Sequence, residues 1–442
     1  MYHRNTLGIK KKSLVLFLFL RTSLYFLQHN FKNLAIIITM NELIVASITG
    51  IDKPGLTSKI TNLLSRYDIR ILDIGQAVIH NQLSLGLLLD VPSKSASYEM
   101  IKEVFLKAQI LGLTIRFTPI TEEEYGVWVN EQAKSRYIVT VLGRTITAGH
   151  IAKVSGIIEH HRLNIDIIER LSGRASLNEK RDEQRACVEF LVSGELEDPF
   201  GLRSAFMNVA HEFDIDIAFQ ADSMYRRNRR LVVFDMDSTL IKIEVIDELA
   251  KARGVGEEVV KITESAMRGE LVFDQSFTKR LALLEGLEES KVQSIGNTLP
   301  LTDGAERLIS TLKKLGYKTA IVSGGFSYFG NILKQKLGID YVFANELEIV
   351  NGTVTGKVKG TIVDGKRKAE ILKEIAEKEQ ISLEQVIAVG DGANDLPMLN
   401  LAGLGIAFNA KPIVRQTAKQ AISTLGLDGI LYLIGVRDRD IL

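Results

Sequence analysis

The sequence predicts an α/β protein: a doubly wound, Rossmann-like core with a small helical cap, preceded by two ferredoxin-like βαββαβ domains. Three observations carry that prediction. Residues 43–222 read as one structural unit used twice. From Leu231 onward, short apolar runs alternate with amphipathic helical patterns, as in a parallel sheet covered by helices on both faces. Carboxylates and glycines follow those runs directly, where sheets of this kind bind ligands. At 442 residues the chain is too long for one ordinary core, and about three domains is the expectation.

Residues 1–39 stand apart. They carry Arg4, Lys10, Lys11, Lys12, Arg21 and Lys32, no acidic residue, and the apolar run Leu14–Leu20. A basic stretch before a short apolar one has the outline of a secretory signal. Arg21 ends the run early, however, no clear small-residue cleavage site follows, and the run is too short to span a bilayer. The favoured reading is a mis-assigned start, with translation beginning at Met40. The chain as a whole, 46% hydrophobic and 25% charged with a net charge of +1, has the composition of a globular protein. Its charge balance argues for neither nucleic acid nor a membrane as partner. The single Cys187 allows no intramolecular disulfide and sits in an apolar run, so a core position in a cytoplasmic protein is expected.

The first repeat (40–122) reads strand Leu43–Thr49, helix Leu56–Tyr67, strands Ile71–Ile79 and Leu83–Asp90, helix Tyr98–Leu111 and strand Thr114–Thr118. The second (134–224) reads strand Tyr137–Leu142, helix Ile151–His161, strands Ile165–Leu171 and Ala186–Val192, helix Pro199–Phe213 and strand Asp214–Phe219. Between the first strand and helix of copy one lies Gly50-Ile51-Asp52-Lys53-Pro54-Gly55. Such a loop presents backbone N–H groups and a helix N-terminus to an anionic group, although Asp-x-Pro-Gly is also good turn chemistry in any protein. Loop and element order together resemble the ACT domain, a regulatory module that binds amino acids. The resemblance implies a regulatory ligand at Asp52 and Gly55. Copy two reads Gly143-Arg144-Thr145-Ile146-Thr147-Ala148-Gly149 and lacks Asp-x-Pro-Gly, which puts a ligand there in doubt. His160 and His161 lack further metal ligands at suitable spacing and are expected as helix-end residues.

Tyr225-Arg226-Arg227-Asn228-Arg229-Arg230 is expected to be a solvated linker to the last domain, 229–442. There the strand candidates are Leu231–Phe234, Thr319–Val322, Tyr341–Ala344 and Val386–Val389. Four clusters carry chemistry. The first, Asp235-Met236-Asp237-Ser238-Thr239, follows a buried strand, and a spacing of two puts both carboxylates on one face of an extended segment. Ser323-Gly324-Gly325 can wrap N–H groups around phosphate oxygens. Lys368 opens a helix, and Gly390-Asp391-Gly392-Ala393-Asn394-Asp395 follows the last strand. In this order they resemble the haloacid dehalogenase superfamily of phosphohydrolases.

That resemblance implies Asp235 as nucleophile and Asp237 as acid and base. It implies Mg²⁺ on the Asp235 carboxylate, the Asp237 carbonyl and the Asp391 carboxylate, with Asp395 supporting from behind. Lys368, Ser323 and the N–H near Gly324 would hold the phosphoryl group. The helical insertion at about 245–300, with Asp235 to Glu248, Ala266-Met267-Arg268-Gly269-Glu270 and Phe273 to Arg280, resembles the phosphoserine phosphatase family. That likeness implies phosphoserine as substrate, with Glu244 on its ammonium, Arg280 on its carboxylate, Met267 and Phe273 closing over it, and Asn394 facing it. It implies the last step of L-serine synthesis. With the ACT resemblance, it also implies feedback by L-serine or another amino acid, and a homodimer. The rival readings are an enzyme for a related amino-alcohol phosphate and a non-catalytic amino-acid sensor.

Overall fold

The computed structural model describes residues 43–441 apart from Ser93, Gln132, residues 175–177, 179 and 181–183, and Gly269; the side chains of Lys94, Ser95 and Met267 also lie outside the described residues. The N-terminal extension expected at 1–39 therefore falls outside them. Two compact units are formed, one ending at Ala133 and one beginning at Lys134. Among the described residues no helix is long and apolar enough to cross a membrane.

The first unit contains β1 (Leu43–Ile51), α1 (Leu56–Leu64), β2 (Arg70–Ile79), β3 (Gln82–Asp90), α2 (Lys94–Ile110) and β4 (Leu113–Ile120), closed by α3 (Glu122–Glu131), which the sequence reading missed. The strands form an antiparallel sheet in the order β2-β3-β1-β4. Period-two patterning decides its buried face: Ile44, Ala46 and Ile48 of β1 and Leu83, Leu85, Leu87 and Leu89 of β3 pack against Ile60 and Val104 of the helices. Gly55, at φ 83°, starts α1 in a left-handed conformation that favours glycine.

The second unit opens with the same topology. Its elements are β5 (Arg136–Gly143), α4 (Ala148–His160), β6 (Asn164–Arg170), β7 (Ala186–Ser193), α5 (Pro199–Phe213) and β8 (Asp216–Ala221), with sheet order β6-β7-β5-β8. Both βαββαβ readings hold. His160 ends α4 and His161 caps it, as expected.

A seven-stranded sheet follows, in the order β12-β11-β10-β9-β13-β14-β15. In chain order its elements are β9 (Leu231–Phe234); α6 (Val245–Arg253), α7 (Gly256–Met267), α8 (Phe273–Ala282) and α9 (Glu289–Asn297) in the helical insertion; α10 (Ala305–Lys314), β10 (Lys318–Phe326), α11 (Ser327–Leu337), β11 (Tyr341–Val350), β12 (Thr353–Lys359) and α12 (Gly365–Lys378); and β13 (Val386–Gly390), α13 (Leu396–Leu401), β14 (Leu404–Phe408), α14 (Pro412–Thr417), β15 (Gln420–Ile422) and α15 (Ile430–Leu433). All neighbours are parallel except the β11–β12 hairpin. The sequence reading located β9, β10, β11 and β13 but not β12, β14 or β15. The missed strands lie toward the sheet edges.

The linker reading is corrected. Residues 134–224 and 229–441 do not separate, and the stretch between them is solvated only in part: Arg227, Asn228 and Arg230 are exposed, but Arg226 and Arg229 are buried. Arg226 is only 1% exposed and is paired with Glu189 of β7, while Arg229 is buried against the Glu384 carbonyl. The reason is the helix-free face of the second βαββαβ sheet. Its Leu142, Cys187 and Ala218 share one apolar cluster with Leu431 and Tyr432 at the end of the chain. Strand β8 also meets β15: Gln420 accepts from the Phe219 N–H at 2.9 Å and donates to its carbonyl at 2.5 Å. Beside it, Asp216 accepts from the backbone N–H and the hydroxyl of both Ser423 and Thr424, at 2.7–2.9 Å.

Candidate active site

Strand β9 is buried on both faces and lies between β10 and β13, so the ends of all three strands meet at one point. Asp235 is the first residue beyond β9. Its N–H donates to the Val389 carbonyl at 2.8 Å, and its Oδ1 accepts from the Met236 N–H at 2.7 Å. The chain then turns tightly through Met236–Leu240, with Ser238 left-handed at φ 54°. That turn carries Asp237 beside α6, where its carboxylate accepts from the Val245 N–H at 3.4 Å.

Lys368 lies in the first turn of α12, a helix started by Asp364 accepting from the Arg367 N–H. Its ammonium is fully buried, 2.9 Å from Asp235 Oδ2 and 2.6 Å from Asp395 Oδ1. Burial by itself pulls this amine down, but Asp235 and Asp395 outweigh it and raise it. The other Asp395 oxygen accepts from the Gly392 N–H at 2.9 Å. Asp391, just past β13, accepts from Thr239 Oγ1 at 3.0 Å.

The loop at the end of β10 completes the floor. Ser323 is buried, and its hydroxyl accepts from the Gly325 N–H at 2.9 Å. A Cβ on Gly325 would stand 2.6 Å from Asp237 Oδ2, and one on Gly324 would stand 3.1 Å from the Phe273 ring. Close approach therefore favours glycine at Gly325, where something would have to shift, and leaves a side chain at Gly324 room only if the Phe273 ring gives slightly. Asn345 was missed in the sequence. It donates to the Gly324 carbonyl at 2.8 Å and accepts from the Val363 N–H at 2.9 Å, tying the serine loop to the segment before Lys368. A polar residue directly after the apolar run Tyr341–Ala344 was the available signal.

The insertion stands over this floor. Glu244 precedes α6 and accepts from the Ser238 hydroxyl at 2.7 Å. Phe273 stacks on Phe277 with ring centroids 6.1 Å apart. Arg280 is half-buried on α8; burial lowers its basicity, opposed by the nearby Asp247 and Glu244, and its Nε has no partner among the described residues. Asn394 lies in the short 3-10 turn Ala393–Asp395, half-buried, and a Cβ on Gly392 would meet its side-chain oxygen. The Met267 side chain lies outside the described residues. Asp52 and Gly55 belong to the other unit, where residues 52–58 and Gln76 line a cavity of about 420 Å³.

Electrostatically the floor sets one ammonium, that of Lys368, against the carboxylates of Asp235, Asp237, Asp391 and Asp395. Ligand oxygens of Asp235, Asp391 and Asp395 lie within 4.8 Å of one another. Burial, then Asp235, pushes Asp391 up to about 8 and Asp395 to about 6. Burial, with Glu244 and Asp235 adding to it, holds Asp237 well above the usual carboxylate range. An all-oxygen, acidic donor set of this kind fits a hard divalent cation. Asp395 commits both oxygens to Lys368 and Gly392, and Asp235 commits its two to the Met236 N–H and Lys368. Asp391 uses one, on Thr239, and is therefore the least committed donor of the three. Replacing Lys368 with methionine should destabilise the metal-free protein by about 3–5 kcal/mol at neutral pH, because buried carboxylates lose their counter-charge. Thermal unfolding with and without a divalent cation checks this, and the cation should restore more of the loss than it adds to the wild type.

Comparison with known proteins agrees with this architecture. The sequence model of the haloacid dehalogenase-like hydrolases matches residues 229–403, and that of the ACT domain matches residues 42–118. The phosphoserine phosphatase of Streptomyces coelicolor is 40% identical over 399 residues, which is 90% of this chain and 93% of that protein. That of Mycobacterium tuberculosis is 38% identical over 393 residues, 89% of this chain and 93% of the relative. The crystal structure of a probable phosphoserine phosphatase from Vibrio cholerae, 35% identical, superposes with a TM-score of 0.54 over 69% of this chain and 88% of its own. With a relative of that identity aligned along nearly its whole length, the chain belongs to the phosphoserine phosphatase family of haloacid dehalogenase-like hydrolases.

Proposed function

We propose that the protein hydrolyses O-phospho-L-serine to L-serine and phosphate through an aspartyl-phosphate on Asp235. One observation carries the reading: a buried and a half-buried carboxylate, Asp235 and Asp237, lie beside an exposed glutamate, Glu244, and a half-buried arginine, Arg280, suited to the two charges of an amino acid. An Asp235 oxygen attacks phosphorus as the bond to the serine oxygen breaks, and Asp237 donates the proton that this oxygen takes up. Burial, with Glu244 and Asp235 beside it, raises Asp237 well above the usual carboxylate range, the direction that an acid in this role needs. Deprotonated, it then takes a proton from the water that hydrolyses the intermediate. Lys368, Ser323 and the N–H groups near Met236 and Gly324 stabilise the phosphoryl oxygens.

A Mg²⁺ ion fits the Asp235 carboxylate, the Asp237 carbonyl and the Asp391 carboxylate, with Asp395 orienting from behind; when bound it neutralises phosphoryl and carboxylate charge. Glu244 receives the substrate ammonium, and the Arg280 fork receives its carboxylate. Phe273 and Met267 close over the ligand, and Asn394 faces it.

Three outcomes are expected. Phosphate release from L-phosphoserine should require magnesium and fall about a thousandfold or more in Asp235→Asn. Hydrolysis of an aryl phosphate with phosphoserine inert would instead remove the assignment of Glu244 and Arg280.

Cation binding should weaken as pH falls. Asp391 sits at about 8 without a cation and must lose its proton to bind one, so affinity drops about tenfold per pH unit below that value. Calorimetric titration with magnesium from pH 6 to 9 tests this; a flat profile removes Asp391 as a ligand.

We also propose L-serine as an effector at the Asp52–Gly55 loop of a homodimer. The two repeats differ at the corresponding helix start. Thr147 caps α4 by accepting from the His150 N–H, whereas α1 begins at Gly55 with no side-chain cap. Added L-serine should inhibit turnover, Asp52→Ala should relieve the inhibition, and the mass in solution should be that of a dimer. Indifference to serine over a wide concentration range, or a monomeric mass, removes the corresponding proposal.

A further inference from the structure

The second βαββαβ repeat ends its contact with the sheet at a buried carboxylate. Asp428 is 2% exposed and accepts from Arg185, which leads into β7, and from Arg307 of α10 at 2.7 Å. Arg307 also donates to Asp438 at 2.7 Å, and Asp438 in turn accepts from the Gly173 N–H of the repeat at 2.6 Å. Two links thus run from the repeat into one short segment of the catalytic half.

That segment presses on the strap at residues 300–304. The Leu427 N–H donates to the Asp303 carbonyl at 2.7 Å. Asp428 lies so close to Gly304, at φ 80°, that a Cβ there would stand 2.2 Å from its Oδ1. The strap is bonded to the far end of the nucleophile turn: Thr302 N–H to the Leu240 carbonyl at 2.9 Å, and Lys242 N–H to the Pro300 carbonyl at 2.9 Å. Next to Leu240, Thr239 holds Asp391. Tightly packed contacts of this kind pass displacement on, because neither side has room to relax.

We propose that Asp428 is a positioning residue for the 236–240 turn, and that Arg185 of the second repeat acts on turnover through it. The repeat that lacks the Asp-x-Pro-Gly loop thereby serves the catalytic sheet as a brace. The effect on turnover rests on the phosphoserine phosphatase reading above; the effect on the turn does not.

The test uses the full chain carrying Arg185→Gln, Arg185→Lys, Asp428→Asn or Arg185→Gln with Asp428→Asn. Amide hydrogen exchange across residues 236–242 should quicken in Arg185→Gln and Asp428→Asn while thermal unfolding confirms a folded protein. The kcat for phosphoserine should fall roughly 2- to 30-fold, with KM within about twofold because Glu244 and Arg280 lie outside the strap. Arg185→Lys should recover most of kcat, and the double variant should lose no more than Asp428→Asn alone. Unchanged exchange and kcat in folded Arg185→Gln would overturn the proposal, as would additive losses in the double variant. If Asp428→Asn does not fold, Arg185→Gln alone decides, since its side chain is 39% exposed and a removable partner. A wild type inactive on phosphoserine would count against the functional reading, while the exchange data would still decide the coupling.

Discussion

A fully buried ammonium, that of Lys368, faces Asp235 and Asp395 at the point where three parallel strands end. Most of the site depends on that contact. Without it, the carboxylates delivered by β9 and β13 would meet in a dry cleft with nothing to offset their charge, and the expected response is protonation. Asp395 is the second half of the arrangement, since it binds the amine on one oxygen and the Gly392 N–H on the other. One hydrogen-bonded unit therefore joins α12 to the turn after β13. The charge still missing falls beside Asp235 and Asp391, where an oxygen-seeking cation is best accommodated.

Precision around this unit comes from close approach as much as from charge. Gly324 and Gly325 let the β10 loop pass under Phe273 and against Asp237, and Asn345 pins the same loop to the segment leading into α12. Ser238 accepts a left-handed backbone where glycine would be easier, and its hydroxyl reaches Glu244. A strained residue that spends its side chain on a proposed substrate group is consistent with selection for position over stability. The helices of the insertion add a stacked phenylalanine pair and an arginine whose Nε has no partner among the described residues, the features on which the proposed cap rests.

The two βαββαβ units share a topology but have different surroundings. In the second, the face opposite its helices is spent on packing: Cys187 and Ala218 join the core of the catalytic sheet, and Asp216, Gln420, Arg226 and Asp428 supply buried polar locks. Buried ionic contacts of this kind specify orientation more reliably than they add stability. The first unit contains the loop lined by Asp52, Gly55 and Gln76, open enough to admit a small molecule. The same topology thus carries a cavity in one unit and an interface in the other.

Legibility in the sequence followed the range of the interactions. Strand β9 was readable because it is a short apolar run ending in Asp235, and Asp237, Lys368 and Asp391 were readable because their spacing along the chain repeats a known order. Both ferredoxin-like units were readable from period-two strands and helical patterns, which are local. What the sequence left undetermined depends on contacts between distant residues. Asn345 looked like the end of a strand until its two backbone partners, 21 and 18 residues away, were placed. Arg226 looked like a solvated charge, because only folding brings Glu189 to it. The short β14 and β15 carry too few residues to show a period, and β15 exists by pairing with β14 and by meeting β8. Local patterning thus determined the elements and the chemical groups of the site. Tertiary structure alone decided which charges are buried and paired, because burial is a property of neighbours that the chain brings together only when it folds.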